Sequence, residues 1–480
     1  MCFRKYLMLI AVLGINVYSS EFQDFLSRVN SINNPTDKQA VVDSFMIHAD
    51  SVGVPFVEGN TANFLYKGNV SSVQVAGDFN GWSSSAMSRL SGTDLFYLTR
   101  NFELDARFDY KLVVNGQMIL DPRNPNTVPG GISKNSELAM PDYVQPWEIV
   151  YNPIVERGKL TNFSLSSQIT NRNYSVTIYF PVGYDSAKSG GYSTAYYQDG
   201  SDYLSLGYGW VILDNLISQN IIEPILGVFV RPTNRNDEYA YDNRFKYAEF
   251  FANELVPHID SMFNTTKSPQ NRLVIGDSFG GNISALISYQ YPEVFGLCGL
   301  HSAAFWPNDY EVYNMIVNGE KKDIKYYSVW GSYESLFTNM RNFQSEMTSL
   351  GYEIDGKEFH EGHSWGLWRA TTDLILEYFF PSNTTNVVID ELVNEFVLYQ
   401  NYPNPFNPST TIKFSIPHSE FTTLKVYDLL GREVDTLLDE YLVTGTYQME
   451  FDGSKLTSGI YFYTLYLNGN IQTKKMTLIK

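Results

Sequence analysis

Apolar and polar residues change their spacing several times along this chain, and each change marks a new kind of element. Between residues 21 and 60 apolar positions recur at three- and four-residue intervals, as in Val41, Val42, Phe45 and Met46 after Pro35-Thr36-Asp37. That spacing predicts two short amphipathic helices, the second opening near Pro35. From about residue 61 the period falls toward two. Asn63–Tyr66, Val73–Ala76, Leu95–Thr99 and Tyr110–Val114 read as strands, with turn signals such as Asn115-Gly116 between and after them. Short strands at this density predict an all-β sandwich. Residues 150–382 alternate short apolar runs with helical periods. The strand candidates are Ser175–Phe180, Ala195–Tyr197, Ile225–Val230, Leu273–Ile275 and Tyr326–Trp330. The helix candidates are Val211–Gln219, Lys246–Phe263, Ile283–Tyr291, Leu336–Leu350 and Leu367–Phe380. Such alternation predicts a mostly parallel sheet covered by helices on both faces. Residues 383–397 read as a linker. A second all-β pattern follows over 398–480, with Thr422–Tyr427 and Gly459–Tyr463 as strands.

The junction of one strand and one helix carries the first chemical signal. Gly276-Asp277-Ser278-Phe279-Gly280 stands directly after Leu273-Val274-Ile275 and directly before Ile283, Leu286 and Ile287, which keep helical spacing up to Pro292. This is the sequence form of a nucleophile elbow, a sharp strand-to-helix turn that lifts a serine hydroxyl off the edge of a sheet. The bland alternative is a glycine-rich structural turn.

A serine needs an adjacent base to act as a nucleophile. Of six histidines, His363 is the favoured base, because Glu361-Gly362-His363-Ser364-Trp365 forms a loop between a strand ending near His360 and a helix starting near Trp365. His360 is the second candidate. His301 follows the strand after the elbow and is a pocket-lining candidate, and His48, His258 and His418 read as surface residues. The acid that orients the imidazole is expected after Tyr326–Trp330. That loop, Gly331-Ser332-Tyr333-Glu334-Ser335-Leu336, has Glu334 as its only carboxylate. The other reading of Glu334 is a charge at a helix N-terminus. Oxyanion donors are expected from the backbone of Phe279 and from the loop Gln198-Asp199-Gly200-Ser201, at Ser201 or else Gly200. Asp199 is then an orienter of that loop. No pair of histidines has metal-ligand spacing on one helix, so the expectation is no metal and no cofactor. Trp365, Trp368, Trp306 and Tyr203 are candidate cleft walls that could equally be core.

Composition narrows the setting. The 480-residue chain carries a formal net charge of -18, which argues against nucleic acid and anionic membranes as partners. Residues 1–19 read as a secretory signal, with Arg4 and Lys5 before the apolar stretch Leu7–Ile15 and with Val17 and Ser19 as the cleavage pair. No other stretch has the length of a membrane span. Cleavage would remove Cys2 and leave Cys298 alone, expected as a buried core residue.

At these residues the middle region resembles a family of α/β-hydrolase esterases that includes enterochelin esterases, S-formylglutathione hydrolases, and feruloyl and acetylxylan esterases. Tyr197–Gly200, Asn234–Tyr239, Glu254–Pro257, Arg272–Gly281 and Gly362–Trp365 carry the likeness. The resemblance implies a triad of Ser278, Glu334 and His363. The family's acid is commonly aspartate, so Glu334 is a departure. Gly77-Asp78-Phe79-Asn80-Gly81-Trp82 and Tyr110–Gly116 resemble an early-set, glycogen-binding-type module. In sugar-binding members a tryptophan at the first motif stacks on the glycan, which makes Trp82 a candidate here, although Met118 or Ile119 fills the later aromatic position. A purely structural module is the alternative. Asn401–Pro408, Val426–Gly431, Ser458–Tyr461 and the basic end Lys474, Lys475 and Lys480 resemble a type IX secretion sorting domain.

The expected layout is a signal at 1–19, a helical segment at 20–60, an early-set carbohydrate-binding-like sandwich at 61–140, an α/β-hydrolase at 150–382, a linker at 383–397 and a sorting sandwich at 398–480. The expected fold class is thus a central α/β-hydrolase between two all-β immunoglobulin-like sandwiches. The expected function is that of an exported serine esterase acting on carbohydrate-linked acyl groups, acetyl or feruloyl, and handled by the type IX machinery. A siderophore trilactone esterase and a non-catalytic glycan-binding surface protein are the alternatives.

Overall fold

The computed structural model describes residues 20–153, 155–382, 396–417, 420–442, 445–467 and 470–480. The expected signal at 1–19, His418 and most of the expected linker lie outside them. Two compact units account for the chain. The first takes in residues up to Val144, Pro153–Ser218 and Pro224–Phe380, and the second takes in Gln145–Asn152, Gln219–Glu223 and Pro381–Lys480.

The first unit starts with the two expected helices, Glu21–Ser31 and Pro35–Val52, capped by Ser20 and Asn34 side chains that accept the Gln23 and Thr36 N–H groups. Their apolar faces close over one side of a β layer. Phe22, Phe25 and Phe45 share a core with Phe56, Leu65, Leu90 and Leu95. Beneath lie two sheets. One pairs Phe56–Glu58, Thr61–Lys67, Leu95–Asn101 and Ser88–Arg89. The other is built on Val73–Gly77, Arg107–Val114 and Asn135–Ala139. Phe64, Val75, Phe96, Phe108, Tyr110 and Leu112 fill the space between them, as expected where alternate residues of facing strands point inward.

The larger part of the unit is one eight-stranded sheet. In chain order its strands are β1 (Lys159–Ser167), β2 (Arg172–Phe180), β3 (Thr194–Tyr197), β4 (Leu226–Arg231), β5 (Arg272–Asp277), β6 (Leu297–His301), β7 (Lys325–Gly331) and β8 (Glu353–Phe359). They lie side by side as β1-β2-β4-β3-β5-β6-β7-β8. The β1–β2 and β2–β4 pairings are antiparallel and the rest are parallel. The parallel centre is buried on both faces, which is why β3, β4 and β5 are continuous apolar runs. Nothing in the apolar pattern announces β1. It is a largely exposed edge strand whose residues are mostly polar, a composition that suits an unpaired edge.

The single helix expected over Lys246–Phe263 is interrupted. Arg244–Phe250 runs into a wide turn, Phe251–Leu255, and then into Val256–Met262. The wide turn ends two residues before Pro257, whose ring would crowd the Asn253 carbonyl in a regular helix. Cys298 is fully buried on β6, where burial pushes its thiol up to about 12.

The second unit is β-rich. Val397–Leu398, Ser409–Ile416 and Gly445–Asp452 form one sheet, and Glu433–Leu442, Glu420–Tyr427, Gly459–Leu467 and Asn470–Leu478 form another. Ile412, Phe414, Leu424, Val426, Phe451 and Tyr463 are among its core residues.

Candidate active site

Ser278 occupies the turn between β5 and the helix Phe279–Gln290 with φ 53° and ψ -116°. A non-glycine residue held there is strained, and the surroundings enforce it. The Ser278 N–H donates to the His301 carbonyl at 2.9 Å, and the Ser278 carbonyl accepts from Ala304 and Gly281. A methyl group on Gly276 would stand 2.3 Å from the Gly280 carbonyl oxygen. Of the two glycines after the serine, Gly281 is the tighter position. A methyl there would be 2.8 Å from Ala303 Cβ, against 3.3 Å from Asp199 Oδ2 and Gln198 Cβ at Gly280.

The loops after β7 and β8 bring Glu334 and His363 to this serine. His363 Nε2 is 3.0 Å from Ser278 Oγ, and its Nδ1 is 2.5 Å from Glu334 Oε2. Glu334 Oε1 accepts the Gly331 N–H at 3.1 Å, and the carboxylate is fully buried. With its proton on Nδ1, the ring is left with Nε2 as acceptor toward the serine hydroxyl. Trp368 packs edge-on to His363 with ring centres 4.9 Å apart.

The other histidines are engaged elsewhere. His360, the second candidate, pairs with Asp105 at 2.7 Å rather than with Ser278. His301 is fully buried, with Nδ1 2.8 Å from Tyr203 Oη, and burial lowers its pKa to about 3. It is a core residue, and its contribution at the elbow is its carbonyl. His48 pairs with Glu21, and His258 packs beside Phe163.

Phe279 opens the helix Phe279–Gln290, and Ser201 is the second residue of the helix Gly200–Ser205. First-turn N–H groups have no intrahelical acceptor, and among the described residues no other acceptor meets these two. Asp199 precedes Gly200 with φ 50°. Its carboxylate accepts from Arg235 Nε at 2.7 Å, and its N–H donates to Tyr239 Oη at 2.9 Å. Arg235 also donates through Nη2 to the Asp277 carbonyl at 3.2 Å. Asp277 and Asp199 are both buried, and burial raises both carboxyl groups, Asp277 to about 7 with the Asp199 charge adding to it. Arg235 therefore joins the loop before Ser201 to the residue before Ser278. Sequence reasoning gave Arg235 no role. The available signal was the charged run Asn234–Tyr239 directly after β4.

Among the candidate cleft walls, Trp365, Trp368 and Tyr203 are core residues. Trp306 is 44% exposed and packs 5.2 Å from the Phe279 ring. Trp82 is half-buried with φ 61°, and its Nε1–H donates to Asp78 Oδ1 at 2.9 Å.

Comparison with known proteins adds the following. Residues 167–378 match the family described as "Putative esterase", and residues 400–480 match the "Secretion system C-terminal sorting domain". A Bacillus subtilis protein, the uncharacterized YbbA, is 33% identical over 151 residues, covering 28% of this chain and 58% of its own. An endo-1,4-beta-xylanase/feruloyl esterase of Xylanibacter ruminicola is 25% identical over 285 residues, covering 56% of this chain and 38% of its own. The chain thus spans less than two thirds of both relatives. The ferric enterobactin esterase of Salmonella typhimurium superposes with a TM-score of 0.58 at 18% identity, over 66% of this chain and 93% of its own. At that identity the likeness is one of fold. Residues 167–378 thus match an esterase family and lie on a sheet with the α/β-hydrolase fold, and the C-terminal sorting-domain match indicates export to the cell surface or medium.

Proposed function

We propose that this exported protein is a serine esterase with Ser278 as nucleophile, His363 as general base and acid, and Glu334 as the group that orients His363. The reading rests on one observation above the rest, the chain of contacts from Glu334 Oε2 through His363 to Ser278 Oγ at 2.5 and 3.0 Å. In this reading His363 Nε2 takes the hydroxyl proton as Oγ attacks the ester carbonyl. Buried Glu334 stabilises the imidazolium that forms. The N–H groups of Phe279 and Ser201 hold the oxyanion, and preorganised donors of this kind supply much of such rate enhancements. His363 then gives its proton to the departing alcohol oxygen. In the second half it takes a proton from water, whose oxygen attacks the acyl carbonyl, and it returns that proton to Oγ as the acyl–Oγ bond breaks.

The substrate in this reading is an acyl ester on polysaccharide, acetyl or feruloyl. Export and the xylanase/feruloyl esterase relative favour it. Trp82 is proposed as a ring that stacks on the glycan. A siderophore trilactone is the second substrate reading, favoured by a fold likeness to the enterobactin esterase that spans most of both chains. The deciding experiment compares turnover of 4-nitrophenyl acetate, methyl ferulate, acetylated xylan and a catecholate trilactone by the full chain and by Ser278→Ala. Turnover lost in Ser278→Ala supports the esterase, and the preferred ester names the substrate class. A folded protein inactive on every ester, yet retained by glycan, supports a binding protein.

A further inference from the structure

The two loops that hold Glu334 and His363 turn one flank to the N-terminal β layer, and the contacts fall on the residues beside the triad. On the base side, the Arg107 N–H donates to the His360 carbonyl at 3.1 Å. The neighbouring Glu361 side chain is buried with Oε2 3.8 Å from Arg107 Nη1. A methyl group on Gly362 would stand 2.3 Å from Asp78 Cβ, and one on Gly366 would stand 1.6 Å from Arg107 Nη1. Both positions are therefore occupied up to the backbone by side chains of the β layer. Arg107 is itself fixed by Asp109 at 2.6 Å and by Glu137 at 2.7 Å, with its side chain only 2% exposed.

On the acid side, Tyr333 precedes Glu334. Its ring lies 4.7 Å from Phe108 and 6.2 Å from Phe102, and its hydroxyl donates to Glu103 Oε2 at 2.7 Å. The two loops are also laced to each other, since the Tyr333 N–H donates to the Glu361 carbonyl at 3.0 Å and the Ser332 N–H to the Phe359 carbonyl at 2.8 Å.

Simple adhesion between layers needs none of this. A guanidinium buried among carboxylates is a poor source of net stability, although removing one partner strands a charge; a part in holding geometry accounts for its presence here. Backbone hydrogen bonds and glycine contacts at residues 360, 362 and 366 act on the loop that aims the imidazole. Misplacing catalytic groups by about 1 Å costs on the order of 10²-fold in rate.

We propose that Arg107, Asp78 and Tyr333 are positioning residues, through which the N-terminal β layer sets the places of His363 and Glu334. The inference rests on the triad reading above. It assigns the layer a part in the reaction whether or not it binds glycan.

The test uses the full chain with Arg107→Lys and Tyr333→Leu, read by amide hydrogen exchange and by steady-state kinetics on 4-nitrophenyl acetate. In each variant, exchange at Gly331, Ser332, Tyr333 and residues 360–366 is expected to rise about tenfold or more while β5 and β6 keep their protection. The kinetic expectation is a fall in kcat of about tenfold with KM held within about twofold. A folded variant whose loop exchange and kcat match the wild type overturns the proposal, as does loosening spread evenly over the sheet. If Arg107→Lys does not fold, Tyr333→Leu decides. If the wild type cleaves no ester, the triad reading fails, and the exchange comparison alone decides whether the layer holds these loops.

Discussion

Glu334 reaches His363 from the loop after β7 with one oxygen at 2.5 Å from Nδ1, while its other oxygen accepts the Gly331 N–H. The longer glutamate arm sets that reach. Glu334→Asp is expected to lower kcat by roughly tenfold or more, and Glu334→Gln by up to about 10⁴-fold, because an amide cannot stabilise the imidazolium. Paired with Ser278→Ala, either change should add almost nothing further, since triad members act as a unit. Steady-state kinetics on 4-nitrophenyl acetate measures the single and double variants.

Ser201 offers a way to delete one of the proposed oxyanion donors. Proline is tolerated in the first turn of a helix, where its missing N–H leaves no intrahelical bond unmade. Ser201→Pro should keep its melting temperature and lose on the order of 10²–10³ in kcat. Wild-type kcat in this variant would move the donor to Gly200.

Removing Arg235 leaves Asp199 and Asp277 buried without their cation. Its side chain is 34% exposed, so solvent screens part of the interaction. Arg235→Met is then expected to destabilise the fold by about 2–4 kcal/mol. It should also lower kcat, because the same guanidinium ties the Ser201 loop to the serine. Denaturant unfolding and kinetics together test both halves.

Glu361 predicts a pH dependence of stability. Burial pushes its carboxyl up to about 8, against the pull of Arg107 and with Asp78 and Asp109 adding to the rise. The unfolded group ionises in the ordinary carboxylate range. Between the two values the unfolded chain sheds a proton that the folded chain keeps. The contribution is therefore complete below the carboxylate range and is lost as pH rises through about 8. Melting temperature should fall over that interval, and Glu361→Gln should flatten the fall. A variant with the wild-type slope would rule the group out. Asp78 and Asp277, each raised to about 7 with burial as the main cause, act with the same sign and remain in the variant.

Trp82 separates glycan binding from catalysis. Trp82→Ala should weaken retardation in xylan-containing native gels if the ring stacks on sugar, by about two- to tenfold for a contact worth roughly 0.5–1.5 kcal/mol. Trp82→Phe keeps a ring and loses only the bond to Asp78. Equal mobility of wild type and Trp82→Ala on acetylated and plain xylan would leave Trp82 a structural residue.

What could be read in advance followed the strength of the local signal. The elbow was legible because glycine is forced at Gly276 by the Gly280 backbone, and such contacts write themselves into sequence. β5 and β7 were legible as apolar runs. β1 was not, because an exposed edge strand has no reason to be apolar. Arg235 was present in a quoted motif, but its partners Asp199 and Asp277 lie 36 and 42 residues away. Nothing local says that the three converge. On sequence alone Trp365 and Trp368 could equally wall a cleft or fill the core, since periodicity does not say which face of a helix meets the sheet; both are buried.

Gly362 and Gly366 set a limit on protein engineering. Glycines shaped around Asp78 and Arg107 leave the hydrolase with a negative imprint of one particular neighbour. A truncation starting near Lys159, or a graft onto a foreign binding module, would carry that imprint into solvent along with the Glu361 carboxyl. The catalytic region is thus not a detachable cartridge. Shuffling it between architectures would require redesigning residues 360–366 together with the surface that faces them.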